Sequence, residues 1–115
     1  MTVTIYHNPR CSKSRATLEL VRSRGYQPKV VEYLKNPPSA SALDRILKLL
    51  GLAPRELMRR SETPYKSKRL DDPDLSRKEL ITAMVANPIL IERPIVVTPH
   101  GAAVGRPPDK VLDIL

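Results

Sequence analysis

Within its first 34 residues the chain holds two short β-branched segments joined by one helical stretch, and that arrangement leaves few folds open. Val3-Thr4-Ile5-Tyr6 has the composition of a strand, and Asn8-Pro9 breaks it. From Ser12 onward, Ala16, Leu18, Leu20 and Val21 recur on one side of a helix, and Gly25 stands where a C-terminal cap belongs. Val30-Val31-Glu32-Tyr33-Leu34 is a second strand. Two strands joined by a helix of about three turns favour parallel pairing through a right-handed crossover.

The remaining pattern adds helices, then a hairpin. Asn36-Pro37-Pro38 ends the first unit. Ser39 caps a helix carrying Leu43, Ile46, Leu47 and Leu50, and Gly51 closes it. Pro54 opens a shorter helix through Met58, and residues 61–75 are polar and turn-rich. Ser76 with Glu79 fits a capping box ahead of Leu80, Ile81, Met84 and Val85, and Asn87-Pro88 stops that helix. Arg93 to Val97 reads as a strand, His100-Gly101 as a turn, Ala102 to Val104 as a return strand, and Asp109 to Leu115 as a last helix. The expected class is α/β, with a mixed sheet of about four strands. The 115 residues suit one domain, 1–115, with a helical insertion at about 39–87. Twelve prolines punctuate these segments rather than marking disorder.

Composition narrows the chemistry. One cysteine excludes an intrachain disulfide scaffold, and the apolar runs fall far short of the ~20 residues that cross a bilayer. A cytoplasmic protein with a reduced thiol and no membrane association is expected. One Cys and two His (His7, His100), with no ligand-spaced cluster, point away from a metal site. The net charge of +8 attracts anions of any kind. The basic residues are scattered and only four Tyr are available for stacking, so nucleic-acid binding is not expected. No helix pattern leaves a spare apolar face, and a monomer is expected.

Cys11 lies between the first strand and the start of its helix. Backbone N–H groups and the helix dipole there favour a thiolate, and Arg10, Lys13 and Arg15 add positive charge. Such a thiolate, beside an anion-binding helix start, is suited to attack on an oxyanion. At Cys-x-x-Cys spacing the partner is Ser14, placed to hydrogen-bond the thiolate or to serve as an ordinary first-turn residue. With no second thiol, any redox cycle must borrow one from outside. His7 stands four residues upstream, at the strand end, where turn residues are also common.

The segment Ile5-Tyr6-His7-Asn8-Pro9-Arg10-Cys11-Ser12-Lys13-Ser14-Arg15 resembles the active-site segment of the ArsC family, the glutaredoxin-coupled arsenate reductases. Further matches follow in order: Tyr33-Leu34 before Pro37-Pro38, Arg59 before Pro64-Tyr65, Asn87 to Ile91, Glu92 to Val97, and Gly105-Arg106-Pro107. The resemblance implies a thioredoxin-like fold with a helical insertion. It implies that Cys11 is the nucleophile, that His7, Ser14 and Arg15 support its thiolate, and that Arg59, Arg93 and Arg106 hold the oxyanion. It also implies that the peptide bond before Pro94 is cis and faces the active cysteine. Guanidinium forks suit a tetrahedral oxyanion, which they bind bidentately without losing charge. The implied reaction reduces arsenate to arsenite with glutathione as co-substrate and glutaredoxin as partner, and no bound cofactor. The family's reductases typically carry Gly-Thr after the cysteine and its longer members a C-terminal extension; Ser12-Lys13 and an end at Leu115 after the last helix instead resemble the shorter YfgD-like branch. Two alternatives stand beside this one: a thiol oxidoreductase acting on a glutathione mixed disulfide, and a non-enzymatic regulator like the Spx proteins.

Overall fold

Four short strands build one mixed sheet, in a computed structural model that describes residues 1–115. β1 (Thr4–His7) pairs in parallel with β2 (Lys29–Glu32), with Ile5 opposite Val30 and His7 opposite Glu32. α1 (Ser12–Ser23) connects them. β3 (Ile95–Thr98) runs antiparallel on the other side of β1, and β4 (Gly101–Val104) is its hairpin partner, giving the order β2-β1-β3-β4. The α/β class and the four-stranded mixed sheet are those expected, in a thioredoxin-like arrangement. No helix is long and apolar enough to cross a membrane.

The chain divides into two compact units, residues 1–36 with 93–115, and residues 37–92. The first contains the whole sheet. Its core is Val3 and Ile5 around β1, Val21 of α1, Val96 of β3 and Val111, with Leu18, Leu20 and Ile114 packed against it. Along β1 the burial alternates, so His7 shares the buried side with Ile5. A polar ring therefore ends an otherwise apolar row, beside the loop that carries Cys11.

In the second unit, α2 (Ala40–Leu50) packs with α4 (Arg77–Ala86). Leu43, Ile46 and Leu47 of α2, and Leu80, Ile81 and Met84 of α4, are buried at helical spacing. Asp44 joins the two helices, accepting from Arg77 Nε at 2.8 Å while Lys48 Nζ lies 3.0 Å away. Ser39 Oγ accepts from the Ala42 amide at 3.2 Å, and Gly51 closes α2 at φ 69°, a left-handed geometry suited to glycine. At α4 the capping box is complete: Ser76 Oγ accepts from the Glu79 amide at 3.1 Å, and Glu79 Oε1 accepts from the Ser76 amide at 3.0 Å. Ser76→Ala removes one acceptor from the helix start and is expected to destabilise by about 1 kcal/mol in urea unfolding.

Four expectations need correction. The second strand ends at Glu32, because the amides of Lys35 and Asn36 both turn back to the Glu32 carbonyl and take Tyr33-Leu34 out of the ladder. Pro54–Leu57 is a single 3₁₀ turn. The polar stretch contains a short helix, α3 (Thr63–Ser67), which Pro64 helps to start with its fixed φ. The last helix is 3₁₀ over Pro108–Ile114. Val111 and Ile114, three apart, both reach the core there, which fits a period of three.

Candidate active site

The loop from β1 to α1 is a turn built on Asn8. Its carbonyl accepts the Cys11 amide at 3.0 Å, and its Oδ1 accepts the Arg10 amide at 3.0 Å. Cys11 follows in extended geometry (φ −92°, ψ 123°) as the N-cap of α1, half-buried and reduced. Its sulfur closes no cap hydrogen bond of standard geometry, yet the first-turn amides act on it electrostatically. Burial pushes the Cys11 thiol up, and this is the largest single influence on it. The Ser14 amide, the Arg93 charge, the Lys13 amide and a hydrogen bond from Arg93 together outweigh it, so the thiol ionises below its ordinary range.

Two guanidinium groups belong to this unit's site. Arg93 stands two residues before the start of β3 and stabilises the thiolate. Arg106 follows β4, and its Nη1 lies 4.0 Å from Cys11 Sγ and 3.4 Å from the Arg93 carbonyl. The peptide bond before Pro94 is cis, as the resemblance implies, and so is the one between Arg106 and Pro107. Gly105 is buried between these segments and donates its amide to the Pro94 carbonyl at 2.9 Å. An added Cβ there would come within 2.8 Å of Pro94 Cγ, so the close approach needs glycine.

His7 and Ser14 form a buried pair behind the loop. Ser14 Oγ lies 2.6 Å from His7 Nδ1 and accepts the Asn8 amide at 3.0 Å. Desolvation lowers the His7 pKa below its ordinary value of 6.5, more than the facing Glu32 raises it, with Arg22 and Arg15 adding to the depression. The ring is therefore neutral near pH 7. Either its Nδ1–H donates to the hydroxyl, freeing the hydroxyl hydrogen for another acceptor, or Nδ1 accepts that hydrogen.

The sign of a pH effect follows. In the unfolded chain His7 titrates near 6.5 and in the folded chain lower, so between those points the unfolded state binds more protons. The His7 contribution is full above pH 6.5 and is lost as pH falls through the folded value. The melting temperature is expected to decline below pH 6.5, and His7→Gln, which cannot be protonated, should flatten that decline.

Arg15 sits beside the loop, with its Nη1 donating to the Pro9 carbonyl at 3.0 Å. Arg59 belongs to the second unit, where its amide donates to Leu90 O at 2.7 Å and its Nη1 lies 3.7 Å from Glu62 Oε1. The first unit thus brings together Cys11, His7, Ser14, Arg93 and Arg106. No group of three or more His, Cys, Asp and Glu side chains converges as a metal site. Sequence reasoning missed Asn8, Thr17 and Gly105. Of the apolar side expected for α1, Val21 is buried and Leu18 and Leu20 pack against the core, while Ala16 is exposed; the fully buried stripe is Ser14, Thr17 and Val21. The i, i+3, i+7 spacing of those three was the available signal.

Similarity to known proteins agrees with this geometry. The family model described as "ArsC family" matches residues 6–114. A Rhizobium meliloti protein named "Arsenate reductase" is 51% identical over 115 residues, covering 100% of this chain and 82% of that protein. "Uncharacterized protein YfgD" of Escherichia coli is 54% identical over 114 residues, covering 98% and 96%. A solved structure described as "Arsenate reductase from Vibrio cholerae" superposes with a TM-score of 0.96 at 50% identity, covering 100% of this chain and 98% of that one. With its thiol loop at a helix start, two arginines facing it from the flanks of the β3–β4 hairpin, and relatives this similar along its whole length, the chain belongs to the ArsC family.

Proposed function

We propose that the protein is a cytoplasmic arsenate reductase that uses Cys11 as its nucleophile and takes its electrons from external thiols. The observation that carries the reading is a lone thiol, held toward its ionised form at a helix start, with the Arg106 guanidinium 4.0 Å from its sulfur. Support also comes from the name borne by the half-identical Rhizobium relative.

The chemistry follows from the residues. Arg93 and Arg106, joined on this reading by Arg59, neutralise the oxyanion so that an anionic sulfur can approach it. The thiolate forms a sulfur–arsenic bond, and an arsenic-bound oxygen leaves as water after protonation. His7 and Ser14 hold the loop and the thiolate, and Arg15 braces the loop through the Pro9 carbonyl. Glutathione then displaces a second arsenic-bound oxygen as water, the glutaredoxin thiolate attacks the glutathione sulfur and leaves the electron pair on arsenic, and water cleaves the Cys11 sulfur–arsenic bond to restore the thiol. Two external thiols become one disulfide, two electrons pass to arsenic, and arsenite is released with one water in total. No bound cofactor takes part, and the protein works as a monomer.

The test is a coupled assay following NADPH oxidation with glutathione, glutathione reductase, glutaredoxin and arsenate. Arsenate-dependent turnover is expected. Folded protein with a reactive thiol and no turnover would overturn the substrate assignment, and turnover of a glutathione mixed disulfide instead would make that the activity.

A further inference from the structure

α1 buries a second hydroxyl one turn beyond Ser14, and nothing in the thiol chemistry above uses it. Thr17 is 0% exposed. Its one hydroxyl hydrogen is shared: Oγ1 donates to Lys13 O at 2.8 Å, the ordinary back-bond of a helical threonine, and more weakly to Gly105 O at 3.4 Å. The second contact spans 88 positions of sequence and ends on the residue before Arg106. Gly105 in turn holds Pro94 O at 2.9 Å, on the residue after Arg93. Thr17 therefore presses on the junction of the two arginine-bearing segments. A Cβ on residue 105 would strike Thr17 Oγ1 and come within 2.9 Å of its Cγ2. The contact is made with the backbone itself, so no flexible side chain lies between to absorb a change.

We propose that Thr17 is a positioning residue: by holding the Gly105 carbonyl, its hydroxyl keeps the Arg106 guanidinium beside the Cys11 sulfur. Arg106 reaches that sulfur at the outer edge of contact, 4.0 Å, and shares its Nη1 with Arg93 O at 3.4 Å. A shift of the Gly105–Arg106 backbone moves the charge directly. Thr17→Val keeps the volume and sets a methyl against the carbonyl, which takes the shared hydrogen from both Gly105 O and Lys13 O; of the two, Gly105 O alone adjoins Arg106. The inference builds on the reading of Cys11 as a reactive thiol flanked by arginines, and its test needs no arsenate.

The measurement is the ratio of Cys11 alkylation rates with iodoacetate and with iodoacetamide. The chain has one thiol, so the signal has one source. Thiol ionisation affects both reagents equally and cancels, leaving the positive charge at the sulfur to set the ratio. Arg106→Ala is expected to lower the ratio by about fivefold or more, and Thr17→Val by about two- to fivefold in the same direction. Thr17→Ser retains the hydroxyl and should stay near wild type, while Thr17→Ala should fall with Thr17→Val. The Ser and Ala variants differ by the hydroxyl alone, so they decide the matter if the Val protein does not fold. In an Arg106→Ala background Thr17→Val should add nothing beyond about 1.5-fold. Equal ratios in folded Ala and Ser variants, an effect that persists without Arg106, or a wild-type ratio indifferent to Arg106→Ala would each overturn the proposal. A protein that fails to reduce arsenate yet shows the predicted ratios would refute the substrate and leave the role of Thr17 standing.

Discussion

Cys11→Ser is expected to lose arsenate-dependent NADPH oxidation by at least about 10³-fold, with its fold intact. A serine hydroxyl beside the same amides does not ionise near neutral pH, and the nucleophile of the proposed mechanism is the ionised group. The Ser14 and Lys13 amides and the Arg93 charge favour an anion at this position, and in serine they have none to favour. No other thiol can take over, since Cys11 is the single cysteine. The loop hydrogen bonds around it come from the Asn8 backbone and side chain and do not involve the sulfur. The melting temperature should therefore stay close to wild type, which separates lost chemistry from lost folding. Activity at the wild-type rate in the serine protein would sink the covalent mechanism outright.

Legibility in the sequence tracked how local each determinant is. The ends of α2 and α4 were readable because their chemistry lies within four residues: Ser39 and Gly51 for one, Ser76 with Glu79 for the other. The end of β2 was not, because Tyr33 and Leu34 look like strand residues and only the return of two amides to Glu32 O removes them from the ladder. α3 lacks an apolar stripe and has no buried residue, so periodicity had nothing to detect. Around the thiol the same division holds. Cys11, Ser14 and His7 fall within eight residues of sequence; strand–loop–helix order pointed to the Cys11 thiolate and offered Ser14 as a partner, whereas a supporting role for His7 came from the resemblance alone. Arg93 and Arg106 came from family resemblance, since their place beside a proline at a strand edge sets them only slightly above the other basic residues. Thr17 was hidden for a different reason. A threonine on a polar-flanked helix turn is ordinarily solvated, and its partner Gly105 is 88 positions away.

Arg106→Ala is expected to lower kcat/KM for arsenate by about 10²–10³, equivalent to about 2.7–4 kcal/mol, the range found when one preorganised donor to a developing charge is removed. The guanidinium lies 4.0 Å from the sulfur, and on the proposed mechanism it meets the oxyanion as the sulfur–arsenic bond forms. Its link to the Arg93 carbonyl at 3.4 Å holds it there before substrate arrives, which spares the reorganisation a mobile charge would need. Arg106→Lys keeps the charge and loses the planar fork, so it should recover only part of the loss. The ordering wild type, then Lys, then Ala separates a bidentate clamp from simple attraction. If Lys matched wild type, charge alone would suffice and the fork geometry would be irrelevant. If Ala matched wild type, the guanidinium would not touch the reacting oxyanion. The Arg106 contacts are to the sulfur and one carbonyl, and the side chain is only half-buried. Unfolding midpoints of both variants should therefore stay near wild type, leaving the rate constants to report on the site.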